Sequence, residues 1–318
     1  MLFISFILLS VAFRRLKSDD RIKKQIKGFM ALKLEGAIAP VFVLIWSTGF
    51  IIAKLAMPYV EPATFLFWRY VGILLAMGAL SLIWRPASWP NQSQLLHLLV
   101  AGMLLQFGYL MGVWSAVRLG MTAGLVALIM GLQPIITAWF AAWVSEHVSP
   151  RQWLGLLLGI AGVGLVVAEK MNFVPIPVAS YVLAVAALLA ITFGTLYQKK
   201  YCPVFDLRSG SLIQFSIALL LSFLCMVLFE EGTMVWNAPV ITAMLWAIFP
   251  ISIGSVSLLF IMIRKGAATK VTSLLYLTPP TTAIMAWLLF DEPLTWMMAA
   301  GIVLTMGAVV LVNQKARQ

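Results

Sequence analysis

Arg69 is the residue of this chain best placed to do chemistry, because it is a charge inside an otherwise apolar run, Phe65-Leu-Phe-Trp-Arg69-Tyr-Val-Gly72. A guanidinium in hydrocarbon costs about 2.5 kcal/mol or more on insertion scales, which makes it a functional candidate by default. Arg69, Gly72, Ala76 and Ala79 share one face at helical periodicity, and a stripe of small residues faces other helices instead of lipid. Two roles stay open for it. It could be a gate or scaffold, stacked on Trp68 or Tyr70 or bound to backbone carbonyls, or it could touch substrate, in which case it would favour a carboxylate. Its depth, about 8 Å from the nearer helix end by helical rise, also lets it snorkel.

Other polar residues recur at similar depth. Gln106 and Tyr109 share a face, as do Met130, Gln133 and Thr137; Tyr197 and Gln198 close a later apolar run, and Gln214 stands in the next one at the place equivalent to Arg69. With Trp46 and Tyr276 they describe a mostly apolar and aromatic cavity with a few hydrogen-bonding groups, the usual make-up of a small-molecule site. The candidate substrate-binding residues are therefore Trp46, Arg69, Gln106, Tyr109, Gln133, Gln214 and Tyr276. Each taken alone is also readable as a helix-helix hydrogen bond.

Several chemistries are not encoded. There is no HExxH, no CxxC pair, no GxGxxG and no GxxxxGK[ST], so neither a zinc site nor an ATP-driven pump is expected, and no cofactor or metal. Cys202 and Cys225 lack a disulfide or metal spacing, and His97 and His147 stand near helix ends without evident partners. Every Asp and Glu falls in a loop or near a helix end. Acid–base catalysis needs titratable groups within reach of one another, so an enzyme is not expected; a membrane-embedded enzyme and a non-transporting receptor remain as readings of another class.

The elements that must position these residues are membrane helices. With 62% hydrophobic and 10% charged residues over 318 positions, apolar runs of about 20 residues recur, each long enough to cross a hydrocarbon core of about 30 Å. The runs predict ten spans, at 37–56, 63–83, 95–116, 121–143, 151–168, 179–197, 210–229, 239–262, 269–290 and 295–313. Helix-breaking residues fall at corresponding places: Gly108 in the third span and Pro250 and Gly254 in the eighth, Pro134 in the fourth and Pro279 with Pro280 in the ninth. Paired interruptions are the best sequence-level pointer to a transport pathway, so these six are gating candidates.

The chain also repeats itself. An offset of 146 carries Arg118 to Arg264, Gly120 to Gly266, Pro134 to Pro280 and Gly155 to Gly301, and an offset of 145 carries Gly49 to Gly194. The fold expected is an all-α membrane protein of ten transmembrane helices in two inverted five-helix repeats, since an odd number of spans per copy reverses the second. The organisation is a basic cytoplasmic extension at 1–35, a first repeat at 36–170 and a second at 178–313. The extension is read either as a short interfacial helix or as residues preceding a natural start at Met30. The net charge of +11 reports topology instead of nucleic-acid binding: with the N-terminus inside, cytoplasmic loops carry 18 Lys and Arg and outer loops 3, so both termini are placed in the cytoplasm of a bacterial-type inner membrane.

The stretch Gly124-Leu-Val-Ala-Leu-Ile-Met-Gly-Leu-Gln-Pro134, then Trp143-Val-Ser-Glu146 and Trp153-Leu-Gly155, resembles the EamA-type repeat of the drug/metabolite transporter superfamily. A second copy runs from Leu274-Leu-Tyr-Leu-Thr-Pro279-Pro280 through Phe290-Asp-Glu292 to Gly301 and Gly307. The resemblance covers about residues 36 to 313 and implies a transporter; an Arg near this point of the second helix is common in the family. In one respect the chain departs from the four-span multidrug members, which couple to protons through a first-helix glutamate: Ala37 to Ala56 contains no carboxylate. Glu146 and Glu292 precede Pro or Ser-Pro and read as helix-start signals, with a gating role as the alternative.

The expectation is a secondary transporter in the lipid bilayer, exporting amino acids or similar small metabolites by alternating access as a uniporter or exchanger. The runner-up is a broad-specificity drug/proton exporter. A monomer or homodimer is expected, with a small-molecule substrate and no nucleic acid as partner.

Overall fold

A hydrophobic chain in hydrocarbon must satisfy its backbone internally, and helices do that here. The computed structural model describes residues 38–49, 51–53, 55–83, 85–86, 88–121, 126, 129–168, 176–265, 271, 273–290 and 296–313. Residues 1–41 and 42–318 group as separate units; of the first, residues 38–41 are described, as helix. The expected N-terminal extension, residues 1–35, and Glu292 lie outside the described residues. Among the described residues there is no strand beyond one isolated bridge, Val60 to Met234.

The helices are α1 (Ile38–Ala53), α2 (Pro62–Ile83), α3 (Gln92–Arg118), α4 (Gln133–Trp139), α5 (Pro150–Ala168), α6 (Val178–Tyr201), α7 (Leu207–Phe229), α8 (Ala238–Ile263), α9 (Thr278–Phe290) and α10 (Trp296–Asn313). Five of them, α2, α3, α6, α7 and α8, are long and apolar enough to cross a membrane. Polar caps mark where they begin. Asn91 and Gln94 form a reciprocal capping box on α3, Asp206 accepts from the Arg208 N–H at the start of α7, and Asn237 accepts from Val240 at the start of α8.

Two expected spans are not single helices. In place of one helix over 121–143, the chain turns at residues 131–132, restarts as α4 with Pro134 in its first turn, and tightens into a 3-10 turn at Ala141–Val144. Proline suits a first turn because the N–H it lacks has no helical acceptor there. The ninth segment likewise passes through a 3-10 turn, Leu274–Leu277, before α9, where Pro279 and Pro280 again occupy the first turn. In α3 and α8 the interruptions take another form. Both helices widen into π-helix, Met103–Gly108 and Ala247–Ser255, and continue without breaking.

Packing pairs α5 with α10, α2 with α7 and α3 with α6. The close approaches obey the sequence offset. Gly49 faces Ile251 and its equivalent Gly194 faces Leu105; Gly72 faces Ile248 and Gly102 faces Ile217; Gly108 faces Ala190 and Gly254 faces Ile45; Gly155 meets Ala308 and Gly162 meets Gly301. In every pair, moving both residues to their repeat equivalents converts one contact into the other. That reciprocity is the pattern of an isologous, two-fold interface.

Candidate functional site

The π-helices set the site. A π-turn inserts one extra residue into the turn, frees carbonyls from the regular ladder and re-aims the side chains that follow. In α3 it turns Leu105 and Gln106 inward, followed by Tyr109; in α8 it does the same for Ile251 and Ser252. The Ser252 hydroxyl donates to the carbonyl of Ala247, five residues back, at 2.6 Å. With its proton so committed, its lone pairs accept from Arg69, from Nε at 3.0 Å and Nη2 at 2.8 Å. On the α3 side, the Tyr70 hydroxyl donates to the Gln106 carbonyl.

Arg69 is 2% exposed and lines a cavity between helices of the two halves. Its walls come from α1 (Trp46), α2 (Arg69), α3 (Gln106, Tyr109), α6 (Ile191) and α8 (Ile251). Trp46 and Tyr109 stack with ring centroids 6.1 Å apart and planes within 8°. Among the described residues, no lining residue belongs to α5 or α10 and none is acidic. Among the described residues no carboxylate pairs with Arg69, and its only hydrogen-bond partner is Ser252.

Of the seven residues singled out from sequence, four (Trp46, Arg69, Gln106 and Tyr109) stand on this cavity. The other three are buried elsewhere. Gln214 donates through Nε2 to Gln198 Oε1 at 2.9 Å, between α7 and α6, with its own Oε1 unpartnered. Tyr276 packs its ring against Gly159 and donates to the Leu156 carbonyl at 3.0 Å, fixing the ninth segment to α5. Gln133 is 1% exposed in α4 and is not among the lining residues.

The expectation that His97 lacks a partner is corrected: its Nδ1 lies 2.7 Å from the Tyr197 hydroxyl and its ring stacks on Tyr201 at 4.9 Å. Those residues are a hundred positions away, and only the packing of α3 on α6 brings them together. Beyond the end of α6, burial pushes the Cys202 thiol up to about 11, so it stays protonated and inert at neutral pH.

Acidic residues serve helix ends. Glu230 accepts from the Ala63 and Thr64 N–H groups and from the Thr64 hydroxyl, each at 2.7 Å, capping α2 from the far side of the sequence. Glu61 accepts from the Glu231 N–H at 3.1 Å. At α5 the capping box is Ser149 with Gln152.

The sequence model described as the EamA-like transporter family matches residues 36–168 and again 178–314. Among curated proteins, "Uncharacterized transporter YvbV" of Bacillus subtilis is 28% identical over 86% of this chain and 90% of its own length. A "Probable amino-acid metabolite efflux pump" of Salmonella typhimurium is 26% identical over 87% and 94%, and one of the same name in Escherichia coli is 24% identical over 86% and 92%. A solved crystal structure superimposes with a TM-score of 0.73 at 20% identity, over 87% of this chain and 97% of that one, a likeness of fold.

Proposed function

The chain belongs to the EamA-like transporter family, and from that premise we propose that it is a secondary transporter exporting amino acids or similar small metabolites by alternating access. The observation that carries this reading is the cavity itself. It lies between helices of both halves, and among the described residues its lining excludes α5 and α10 and is mostly apolar and aromatic around one buried cation. A site at the interface of two repeats, beside interrupted helices, is where a carrier holds its substrate. The reciprocal glycine contacts support a duplicated molecule, and the tally of 18 cytoplasmic to 3 outer basic residues supports ten spans in two inverted repeats with both termini inside. Two relatives whose printed names include amino-acid metabolite efflux support the direction and the substrate range.

Among the described residues no lining residue is a carboxylate, and a proton-coupled carrier needs a group that titrates within its cavity. The carrier therefore works as a uniporter or exchanger driven by the substrate's own gradient. Proteoliposomes given an imposed pH gradient and no substrate gradient are expected to show no accumulation. Concentrative uptake driven by pH alone, and abolished by a Gln substitution at Glu61, Glu146 or Glu292, would overturn this. A broad-specificity drug exporter is the second reading, favoured by the Trp46–Tyr109 stack and opposed by Arg69, which repels cationic drugs.

A further inference from the structure

Arg69 offers more than a buried charge. A guanidinium has five N–H donors in a planar fork. Ser252 takes one from Nε and one from Nη2, leaving both Nη1 hydrogens and the second on Nη2 without an acceptor among the described residues. One hydrogen on Nη1 and the second on Nη2 lie on the Nη1–Nη2 edge, an edge that can receive a carboxylate through two parallel hydrogen bonds. The side chain is 2% exposed yet lines the cavity, and Ser252 fixes its plane because the serine proton is already spent on the Ala247 carbonyl. The anchor is thus pre-organised, and no described carboxylate neutralises it.

What the cavity lacks is equally informative. An amino acid brings an ammonium as well as a carboxylate, and burying a charge is costly unless an opposite charge pairs with it. Among the described residues no acidic side chain lines this cavity; beside Arg69 stand one amide, Gln106, and aromatic and aliphatic side chains, among them Trp46, Tyr109, Ile191 and Ile251. We infer that the preferred cargo is a monocarboxylate with an apolar or aromatic body and no ammonium group, held by its carboxylate on the free edge of Arg69, with Ser252 as the positioning residue. The inference rests on the transporter reading and narrows it from amino acids to organic acids of that shape.

The test uses four probes on the purified full-length protein in detergent, with affinity read from ligand-induced thermal stabilisation: 3-phenylpropanoate, its amide, phenylalanine and 2-phenylethylamine. The acid is expected to bind at least about tenfold more tightly than the amide, and more tightly than phenylalanine or the amine, as a charge-assisted bidentate pair requires. In Arg69→Gln the acid-to-amide ratio should collapse to near one while amide binding is retained. Ser252→Ala should lower the ratio partway, since the fork loses its orientation but keeps its charge. Equal binding of acid and amide by the unmodified protein overturns the inference without any variant, so a folding failure of Arg69→Gln leaves the test intact. An unchanged ratio in Arg69→Gln, or phenylalanine binding more tightly than the acid, also overturns it. Counterflow of the same four probes in liposomes separates the two levels. If the acid binds but no probe is moved, the binding inference stands and the transporter reading falls; if other solutes are moved and the acid does not bind, the reverse holds.

Discussion

A charge inside an apolar run announces itself, which is why Arg69 was legible from sequence; its partner was not. Ser252 lies 183 positions away and reaches Arg69 only because a π-turn lets its hydroxyl back-bond five residues. Glu230 was hidden for a similar reason, since its role is to cap a helix 166 or more positions earlier in the chain. A polar aromatic in a span suits a site, which places Tyr276 among the sequence candidates, yet the Leu156 carbonyl takes its hydroxyl. Tyr276→Phe should therefore cost about 1 kcal/mol of stability, the net worth of one hydrogen bond. Gly159→Val, which drives a side chain into the Tyr276 ring, should cost about 1–3 kcal/mol by overpacking. Thermal melts in detergent would show both, and an unshifted melt for Gly159→Val would contradict the packing described.

At the scale of elements, the long apolar runs predicted α2, α3, α6, α7 and α8 to within a few residues at each end. Hydrophobicity does not distinguish α-helix from π-helix or a proline-started half-helix, so the fourth and ninth segments and the two π-turns were visible only as punctuation by Gly and Pro. The π-turn of α8 contains Pro250, which has no N–H to give the regular ladder. Pro250→Ala should let that segment relax toward α-helix, rotate Ser252 away from Arg69 and lower transport by about tenfold or more with the fold retained, the effect expected when a positioning contact is lost. Transport rate beside the melting temperature checks this; full activity would mean the π-turn does not set the site. The seam of α5 and α10 makes a second demand. A Cβ on Gly162 would lie 2.8 Å from the Gly301 carbonyl, so Gly162→Leu should separate the two helices and abolish the folded protein in membranes, whereas Gly164→Ala, with nothing within 4 Å of the added carbon, should be tolerated.

At the scale of the molecule, the duplication was legible because a near-constant offset survives in the sequence, and the glycine contacts follow that offset. What the sequence could not supply was which polar residues the two halves would place on a common wall, because the answer depends on helix rotation as much as on depth. Orientation is a separate question, answered by charge. Reporter fusions at Pro90 and Gly232 should report opposite sides of the membrane, and identical signals would reject the inverted arrangement. If the cavity between the halves carries solute by alternating access, trans-stimulated exchange will show it. Purified protein in sealed liposomes loaded with unlabelled organic or amino acids would be presented with trace labelled solute outside. A carrier predicts saturable uptake accelerated by the same solute inside and lost in Arg69→Gln; a flux that neither saturates nor responds to internal solute, or no flux for any member of a broad metabolite panel, would contradict it.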